Sequence, residues 1–250
     1  MQRYFLKEPY QKQESYHIYG EAYHHMIRVM RMSTGDQVFL AFDNQVSIIA
    51  EISEITEEAV VLIEVAKEQQ EKELPIQITI ASGYPKGDKL ELVVQKGTEL
   101  GAASFIGFPA KSSVVKWDGK KLSKKQQRLE KIAQEAAEQS HRQNTPTIEL
   151  LMNETEFFQK LTNYDVIIVA YEESAKQGET AQLAQIFQTI DSGSRVLAIF
   201  GPEGGLTPNE VETLVSAGGK LCGLGPRILR TETAPLYLLS AASYQLELAR

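Results

Sequence analysis

The sequence predicts an α/β protein in which a small, β-rich N-terminal domain precedes a larger domain built on a mainly parallel sheet. Between residues 38 and 66, short apolar runs are separated by polar turns. After Pro75, apolar runs alternate with stretches of helical periodicity, which is the pattern of a sheet flanked by helices. Residues 67–73 separate the two regions and contain no apolar side chain, so we predict domains at 1–70 and 75–250.

Three strands are predicted in the N-terminal domain. They cover residues 38–42, 46–52 and 59–65, and polar residues lie between them. Short β-rich runs joined by polar turns are typical of an antiparallel meander or a small barrel.

The C-terminal domain alternates between strand and helix candidates. The strand candidates are 76–81, 104–108, 147–151, 164–170, 195–200 and 220–224. The helix candidates are about 86–100, 122–142, 154–162, 179–190, 207–217 and 234–249. Because a parallel crossover needs a long connection, usually a helix, this alternation favours parallel strands.

Two glycine-containing loops directly follow predicted strands near the C-terminus. Residues 201–205 have the sequence Gly-Pro-Glu-Gly-Gly, and residues 224–234 have the sequence Leu-Gly-Pro-Arg-Ile-Leu-Arg-Thr-Glu-Thr-Ala. A helix follows each loop, and the first helix is predicted to begin with a capping box of Thr207 and Glu210. Ligand crevices of α/β proteins lie at the carboxyl ends of strands, so these loops are the candidate active site. The first loop is neither a Walker A loop nor a Rossmann fingerprint, and alone it also fits a simple tight turn.

Charged residues crowd the second loop. Arg227, Arg230 and Glu232 lie within six positions of one another. The guanidinium group of arginine offers a fork of donors to a phosphate or to carbonyl oxygens, and a nearby carboxylate can orient it or accept a proton. This composition indicates substrate binding or catalysis. The structural alternative is a surface ion pair between Arg230 and Glu232.

A third motif lies at the end of the helix predicted over 122–142. Residues 135–142 have the sequence Glu-Ala-Ala-Glu-Gln-Ser-His-Arg. Glu138 and Arg142 are four positions apart and could pair on one helix face, which would by itself explain both residues. We interpret His141 as a residue that favours the helix C-terminus rather than as a catalytic base.

The overall charge hides a basic segment. The formal net charge is −7, yet residues 111–131 contain eight Lys and Arg and only two Asp and Glu. Such clustering is typical of a surface that contacts nucleic-acid phosphates. A solvated helix face has a similar composition, so composition alone leaves both interpretations open.

Composition excludes several classes of protein. The sequence contains no run of about eighteen apolar residues and no apolar signal segment, so we expect a cytoplasmic protein without a membrane partner. Cys222 is the only cysteine, which rules out an internal disulfide and a thiolate zinc cluster. We expect this thiol to be buried and unreactive, and we predict no metal site.

Together, the motifs at 135–142, 201–205 and 224–234 resemble those of the RsmE family of small-subunit ribosomal RNA uridine-N3 methyltransferases. They occur in the family's order, and the resemblance extends over essentially the whole chain. It implies a SPOUT-type C-terminal domain with a deep trefoil knot, preceded by a PUA-like RNA-binding β-barrel. It also implies a homodimer that uses S-adenosylmethionine to methylate N3 of a specific uridine in 16S rRNA, within the small ribosomal subunit, and that does not act on DNA. Periodicity predicts helices and strands and gives no information about a knot. Chain-topology rules alone would argue against one, because knots are very rare among folds.

The resemblance also implies roles for individual residues. The implied catalytic residues are Arg230, which would hold a uracil carbonyl, Glu232, which would orient the arginine or accept the N3 proton, and Arg142, which would bind phosphate or base. The implied cofactor-binding residues are Leu197, Gly201, Glu203, Leu224, Gly225, Ile228, Leu229 and Arg230. The predicted RNA-binding residues are Arg3, Arg28, Arg31, Lys121, Lys124 and Lys125.

Three other functions stay open on the sequence. A related knotted enzyme could methylate the ribose 2′-hydroxyl instead of the base. A non-catalytic RNA-binding or ribosome-assembly factor could keep the glycine loops without binding S-adenosylmethionine. A nucleotide hydrolase is disfavoured, because the sequence contains no phosphate-binding loop and no set of metal-binding carboxylates.

Overall fold

The computed structural model describes residues 1–171 and 182–249 and divides into two compact units. The N-terminal unit comprises Met1–Glu73 and Ala137–Thr145, and the C-terminal unit comprises Leu74–Ala136 and Pro146–Arg250. The sequence places the domain boundary near 67–75, and the structure divides the chain after Glu73. The sequence does not predict that Ala137–Thr145 belongs to the first unit, because nothing in that segment specifies its distant partners.

The N-terminal unit contains five strands and a short helix among its described residues. The strands are β1 (Gln2–Leu6), β2 (Tyr16–Ile18), β3 (Gln37–Phe42), β4 (Ser47–Ile55) and β5 (Val60–Lys67). Helix α1 (Gly20–His24) continues into a wider helical turn, His25–Val29. The predicted antiparallel meander is confirmed in β3, β4 and β5. The sequence does not predict β1 and β2, because both are short and carry polar residues.

The five strands form one sheet in the order β1-β3-β4-β5-β2. β1 runs parallel to β3, and β2 runs antiparallel to β5. Because β1 and β2 are the two edges, the sheet is a half-barrel that stays open between them. Val38, Leu40, Ile48, Ala50 and Ile52 are fully buried, as the two-residue period of a strand with one core-facing side requires.

The C-terminal unit contains six strands, and six helices begin in it among the described residues. The strands are β6 (Gln77–Gly83), β7 (Ser104–Phe108), β8 (Thr147–Leu150), β9 (Val166–Ala170), β10 (Arg195–Phe200) and β11 (Lys220–Cys222). The helices are α2 (Lys89–Glu99), α3 (Gly119–Gln139), α4 (Glu154–Lys160), α5 (Gln182–Thr189), α6 (Pro208–Ser216) and α7 (Thr233–Ser243). Within residues 1–171 and 182–249, every helix is too short or too polar to cross a lipid bilayer.

All six strands of the C-terminal unit are parallel, in the order β11-β9-β10-β6-β7-β8. Helices α2, α3, α5 and α7 contribute to one apolar cluster against the sheet, and α4 and α6 contribute to another. The predicted parallel sheet flanked by helices is confirmed. Strands that are covered on both faces are apolar at successive positions, which explains the continuous apolar runs in the sequence.

The predicted helices agree with the observed ones to within a few residues. The capping box of α6 is confirmed: the Thr207 N–H donates to Glu210 Oε2 (2.7 Å), and the Glu210 N–H donates to Thr207 Oγ1 (3.4 Å). Helix α5 is described from Gln182 onward, and the start of the predicted 179–190 helix lies outside the described residues.

Candidate active site

A cleft opens at the carboxyl edge of the parallel sheet, where three neighbouring strands end. β9 lies between β10 and β11, and the three strands end at Ala170, Phe200 and Cys222. The backbone N–H of Tyr171 donates to the Cys222 carbonyl (3.1 Å), which holds the ends of β9 and β11 together. The cleft has a volume of about 390 Å³, and residues from both predicted glycine loops line it.

The first loop requires glycine because no side chain fits at Gly201. A Cβ there would lie 2.7 Å from the carbonyl carbon of Gly205 and 2.8 Å from the amide nitrogen of Leu206. Both are backbone atoms, so a side-chain rotation could not relieve the clash. In the second loop, Gly225 has a φ of +86°, in the left-handed region that favours glycine. The first loop therefore folds back tightly on itself, and both loops need glycine at a position next to the cleft.

The wall of the cleft combines apolar and charged side chains. Phe200, Leu224 and Leu229 supply apolar surface, and Glu203 and Arg227 supply opposite charges. A concave, largely apolar site with a few polar groups is typical of small-molecule binding. The cleft therefore has the composition expected for a ligand with both an apolar part and charged groups.

Most of the predicted cofactor-binding residues line the cleft. These are Gly201, Glu203, Leu224, Gly225, Ile228 and Leu229. Leu197 is not part of the lining: it is fully buried within β10 in the same apolar cluster as Ile199, and its contact with a cofactor stays a prediction. Arg230 is not part of the lining, although its neighbours Leu229 and Thr231 are.

Arg230 and Glu232 lie at the start of α7, next to the cleft. The Arg230 carbonyl accepts hydrogen bonds from the N–H groups of Thr233 (2.9 Å) and Ala234 (3.0 Å), which fixes its backbone. Its side chain is exposed. The ion pair between Arg230 and Glu232 that the sequence left open is not formed, and Glu232 Oε2 instead lies 3.5 Å from Lys89 Nζ. The guanidinium group of Arg230 is thus available to a substrate.

Lys89 joins the two loops, and no motif in the sequence points to it. Its Nζ lies 2.8 Å from Glu203 Oε1, in addition to its contact with Glu232. The hydrogen bond to Glu203 raises the pKa of Lys89, so the side chain is a cation near neutral pH. Burial acts to raise the pKa of Glu203, but hydrogen bonds from Lys89 and from backbone amides outweigh it and lower that pKa.

The strand order would have identified Lys89 as a residue near the glycine loops. Lys89 follows β6, and β6 pairs in parallel with β10, whose carboxyl end carries the first glycine loop. The segment after β6 therefore reaches the same edge of the sheet as the loops. The missing information was the strand order, which sequence periodicity does not supply.

Arg142 lies in the N-terminal unit, together with Glu73. Its side chain is 4% exposed and forms an ion pair with Glu73, with Nε donating to Oε2 at 3.1 Å. The same carboxylate accepts hydrogen bonds from the backbone N–H groups of Gln143 (2.9 Å) and Asn144 (3.2 Å). This geometry favours an anchoring role for Arg142, and its contact with a substrate stays a prediction.

His141 does not act as a cation at the helix end. It adopts a φ of +58° just beyond α3, and its ring packs edge-on against Phe39. Burial and the nearby cations Lys72 and Arg3 lower the pKa of His141. A lowered pKa favours the neutral imidazole, so the structure does not support the expected stabilisation of the helix C-terminus by a charged histidine.

Comparison with known proteins decides the family. The model of the RNA methyltransferase domain matches residues 72–243, and the model of the RNA methyltransferase PUA domain matches residues 18–65. The whole chain aligns at 48% identity with ribosomal RNA small subunit methyltransferase E of Bacillus subtilis (strain 168), covering 99% of that protein. The chain belongs to the ribosomal RNA small subunit methyltransferase E family. The protein of that name from Synechocystis is 29% identical and aligns with 90% of this chain and 71% of its own length.

Solved structures support the fold of this family member. A crystal structure described only as a hypothetical protein superposes with a TM-score of 0.91 at 46% identity, covering 100% of both chains. Methyltransferase E of Neisseria gonorrhoeae, bound to S-adenosyl methionine, has a TM-score of 0.81 at 24% identity and covers 97% of both chains. A methyltransferase of Legionella pneumophila in complex with the cofactor SAM has a TM-score of 0.77 at 26% identity and covers 96% of both. The C-terminal unit therefore has the SPOUT trefoil-knot fold, and the N-terminal unit is PUA-like.

The predicted RNA contacts of the methyltransferase's N-terminal unit differ in exposure. Arg28 and Arg31 are exposed. Arg3 is 1% exposed, and it donates to Ser47 Oγ (2.9 Å) and to both carboxylate oxygens of Glu68 (2.7 and 2.8 Å). A guanidinium group that is buried and paired in this way is not accessible to a phosphate. The prediction of a phosphate contact therefore does not fit Arg3, which stabilises the PUA-like unit instead.

The basic helix α3 of the methyltransferase is partly neutralised. Lys121 and Lys124 are exposed. Lys125 lies 3.3 Å from one oxygen of Glu91, and Arg128 lies 2.7 Å from the other. Burial acts to raise the pKa of Glu91, but these two cations outweigh it and lower that pKa. The part of the helix that presents unneutralised charge to a partner is therefore the part that carries Lys121 and Lys124.

Proposed function

We propose that this protein transfers a methyl group from S-adenosylmethionine to N3 of a specific uridine in 16S ribosomal RNA. Its substrate would be the RNA within the small ribosomal subunit, in the cytoplasm. The observation that carries the proposal is the cleft that both glycine loops line at the carboxyl edge of the sheet. The names of the relatives support the RNA substrate, and the S-adenosylmethionine bound to two of the solved relatives supports the cofactor.

The residues of the cleft fit S-adenosylmethionine. Its volume of about 390 Å³ lies within the range of roughly 300–1,000 Å³ that is usual for small-molecule sites. Leu224, Ile228 and Leu229 would hold the apolar parts of the cofactor, and the backbone of residues 201–205 would bind its polar groups. When bound, the cofactor supplies an electrophilic methyl carbon on a sulfonium.

Methylation at N3 of uracil makes three demands on the protein. The N3 proton must leave, the negative charge that develops on the ring must be stabilised, and N3 must be held in line with the methyl carbon. The N3–carbon bond forms as the carbon–sulfur bond breaks, and the sulfur keeps the electron pair. Holding two reactants in this geometry can lower the barrier by roughly 7–11 kcal/mol at best.

In this proposal, Arg230 and Glu232 meet the first two demands. The exposed guanidinium group of Arg230 can donate to a uracil carbonyl oxygen and favour the anion that develops on the ring. Glu232 can orient the substrate-binding groups or accept the N3 proton, and the contact that its buried Oε2 makes is the 3.5 Å ion pair with Lys89. Arg3 is left out of the substrate-contacting set, because its guanidinium group is buried in an ion pair with Glu68. Arg142 would bind phosphate or base, as the family resemblance implies, and its ion pair with Glu73 would hold it in place.

Replacing Lys121 and Lys124 together by glutamine is expected to weaken RNA binding and its dependence on salt. Each lost phosphate contact lowers the slope of log K against log salt concentration by about 0.7–0.9, so the double variant should lose about 1.5. Lys125→Gln is the comparison, and it should change the slope less, because Glu91 already neutralises Lys125. Fluorescence anisotropy with the rRNA substrate over a salt series measures both slopes. An unchanged slope in the double variant would contradict RNA binding by this helix.

We further propose that the protein acts as a homodimer. Apolar side chains are exposed along α7, in the turn that follows it and in the second loop: Tyr237 (41%), Tyr244 (64%), Leu248 (74%) and Ile228 (75%). Several large exposed apolar residues in one region are typical of a protein–protein interface. Sedimentation velocity should give the mass of a dimer, and replacing Tyr244 with glutamate should shift it toward the monomer. A wild-type protein that is monomeric at micromolar concentration would contradict the proposal.

The function is tested by following the methyl group. The protein is incubated with radiolabelled S-adenosylmethionine and unmodified small-subunit particles, and the RNA is digested to nucleosides. We expect the label in 3-methyluridine. Label in a 2′-O-methylated nucleoside would identify a ribose methyltransferase instead. Failure to bind S-adenosylmethionine in calorimetry, with no label transferred, would identify a non-catalytic RNA-binding factor.

A further inference from the structure

Three segments that are distant in sequence meet at the ammonium group of Lys89. Glu203 belongs to the first glycine loop, Glu232 belongs to the second, and Lys89 is the first residue of α2. Cleft-lining residues lie on both sides of Glu232 in the sequence, Thr231 before it and Ala234 after it. The Lys89 and Glu203 side chains are about one-third exposed (32% and 31%), and Glu232 is 16% exposed. The cation and the two carboxylates are thus partly shielded from water, where charge interactions are screened less than on an open surface.

Helix α2 itself gains no stability from a lysine at this position. The N-terminus of a helix carries partial positive charge, so a cation in the first turn is electrostatically unfavourable. Asp88 at the N-cap position makes no side-chain capping hydrogen bond that would offset this cost. The favourable interactions of Lys89 therefore come from Glu203 and Glu232, which belong to the two glycine loops.

The two carboxylates need a cation between them. Without Lys89, Glu203 and Glu232 would be like charges close together, since each carboxylate now lies within 3.5 Å of the same ammonium group, and they would repel each other. The backbone N–H of Lys86 also donates to Glu203 Oε1 (3.1 Å), so two groups, one before α2 and one at its start, hold the same carboxylate oxygen of the first loop. Lys89 does not itself line the cleft, and any effect on the ligand must pass through the two carboxylates.

We propose that Lys89 is a positioning residue for methyl transfer. By binding Glu203 and Glu232 at the same time, it sets the spacing of the two glycine loops around the methyl donor and keeps Glu232 aimed at the substrate. The inference rests on the proposed function for the identity of the donor, S-adenosylmethionine, and for the reaction.

The test compares Lys89→Met, which removes the charge and keeps the length of the side chain, with Lys96→Met. Lys96 lies on the same helix and pairs with Glu99 at 2.8 Å, away from the loops, so it is the matched control. Calorimetry should show S-adenosylmethionine binding about tenfold weaker in Lys89→Met, the size of effect expected for coupled charged neighbours. The kcat for methyl transfer should fall at least as much, with the KM for RNA unchanged. Lys89→Arg should restore most of the donor affinity and most of the kcat. Lys96→Met should match the wild type in both quantities.

A double-variant cycle guards against a general loss of structure. If Lys89 acts through Glu203, then Lys89→Met combined with Glu203→Gln should bind the donor little worse than the more affected single variant. Independent, multiplicative losses would overturn the proposal. So would an unchanged donor affinity with an increased KM for RNA, which would make Lys89 an RNA contact. If the wild type bound the donor but left uridine unmethylated, the proposed function would fail, while the affinity ratios would still decide the role of Lys89.

Discussion

Replacing Gly201 with alanine is expected to weaken S-adenosylmethionine binding by about 10- to 100-fold, because overpacking a tight site costs about 1–3 kcal/mol and a factor of ten corresponds to 1.4 kcal/mol. The new Cβ would lie 2.7–2.9 Å from backbone atoms of Gly205 and Leu206, so the loop must change shape to accept it. Isothermal titration calorimetry measures the loss directly.

The matched control for this variant is Gly119→Ala, at the start of α3. A Cβ on Gly119 meets nothing closer than Met152 at 3.9 Å, so donor affinity should be unchanged. Thermal unfolding of both variants separates a loop that no longer binds the donor from a domain that no longer folds. Wild-type donor affinity in Gly201→Ala would show that the first loop does not shape the cofactor site.

Replacing Arg230 with alanine is expected to lower the kcat for methyl transfer by about 100- to 1,000-fold, the loss typical of removing one donor that stabilises a developing anion. S-Adenosylmethionine affinity should change less than about threefold, since the Arg230 side chain is not part of the cleft lining and its role is in the transition state. Single-turnover kinetics with the rRNA substrate measure the chemical step. Arg230→Lys should recover only part of the rate, because an ammonium lacks the planar fork of donors.

Arg195→Ala is the control for the loss of an arginine from this unit. Arg195 begins β10 at the end opposite the cleft and pairs with Asp165 at 3.0 Å, so its removal should leave the rate near that of the wild type. A rate in Arg230→Ala within threefold of the wild type would remove Arg230 from the mechanism.

The parallel sheet was predictable from the sequence because its strands are covered on both faces. β10, for example, is apolar at five successive positions, and such a run is visible without knowing its neighbours. β2 was not predictable, since it has only three residues and owes its existence to pairing with β5, which lies more than forty residues later. Residues 137–145 belong to the N-terminal unit and bind Glu73, a partner about seventy positions earlier that the sequence of the segment does not specify. The knot came from the family resemblance alone.

The sequence predicted those parts of the candidate site whose position depends only on neighbouring residues in the chain. The glycine loops follow β10 and β11 directly, and the carboxyl ends of parallel strands share one edge of a sheet. Predictions from residue type were wrong where a partner distant in sequence determines the burial of a side chain. Arg3 is expected at the surface as an arginine, but its partner Glu68 lies 65 positions away and buries it. Lys89 could not be identified from the sequence either, because its partners belong to loops more than one hundred residues away.

The structure of the protein with bound S-adenosylmethionine tests the central claim most directly. The account predicts the donor in the cleft, contacting the backbone of residues 201–205 and the side chains of the second loop, with its methyl group facing the side on which Arg230 and Glu232 lie. A donor that is bound at another place, or that contacts only one of the two loops, would contradict it.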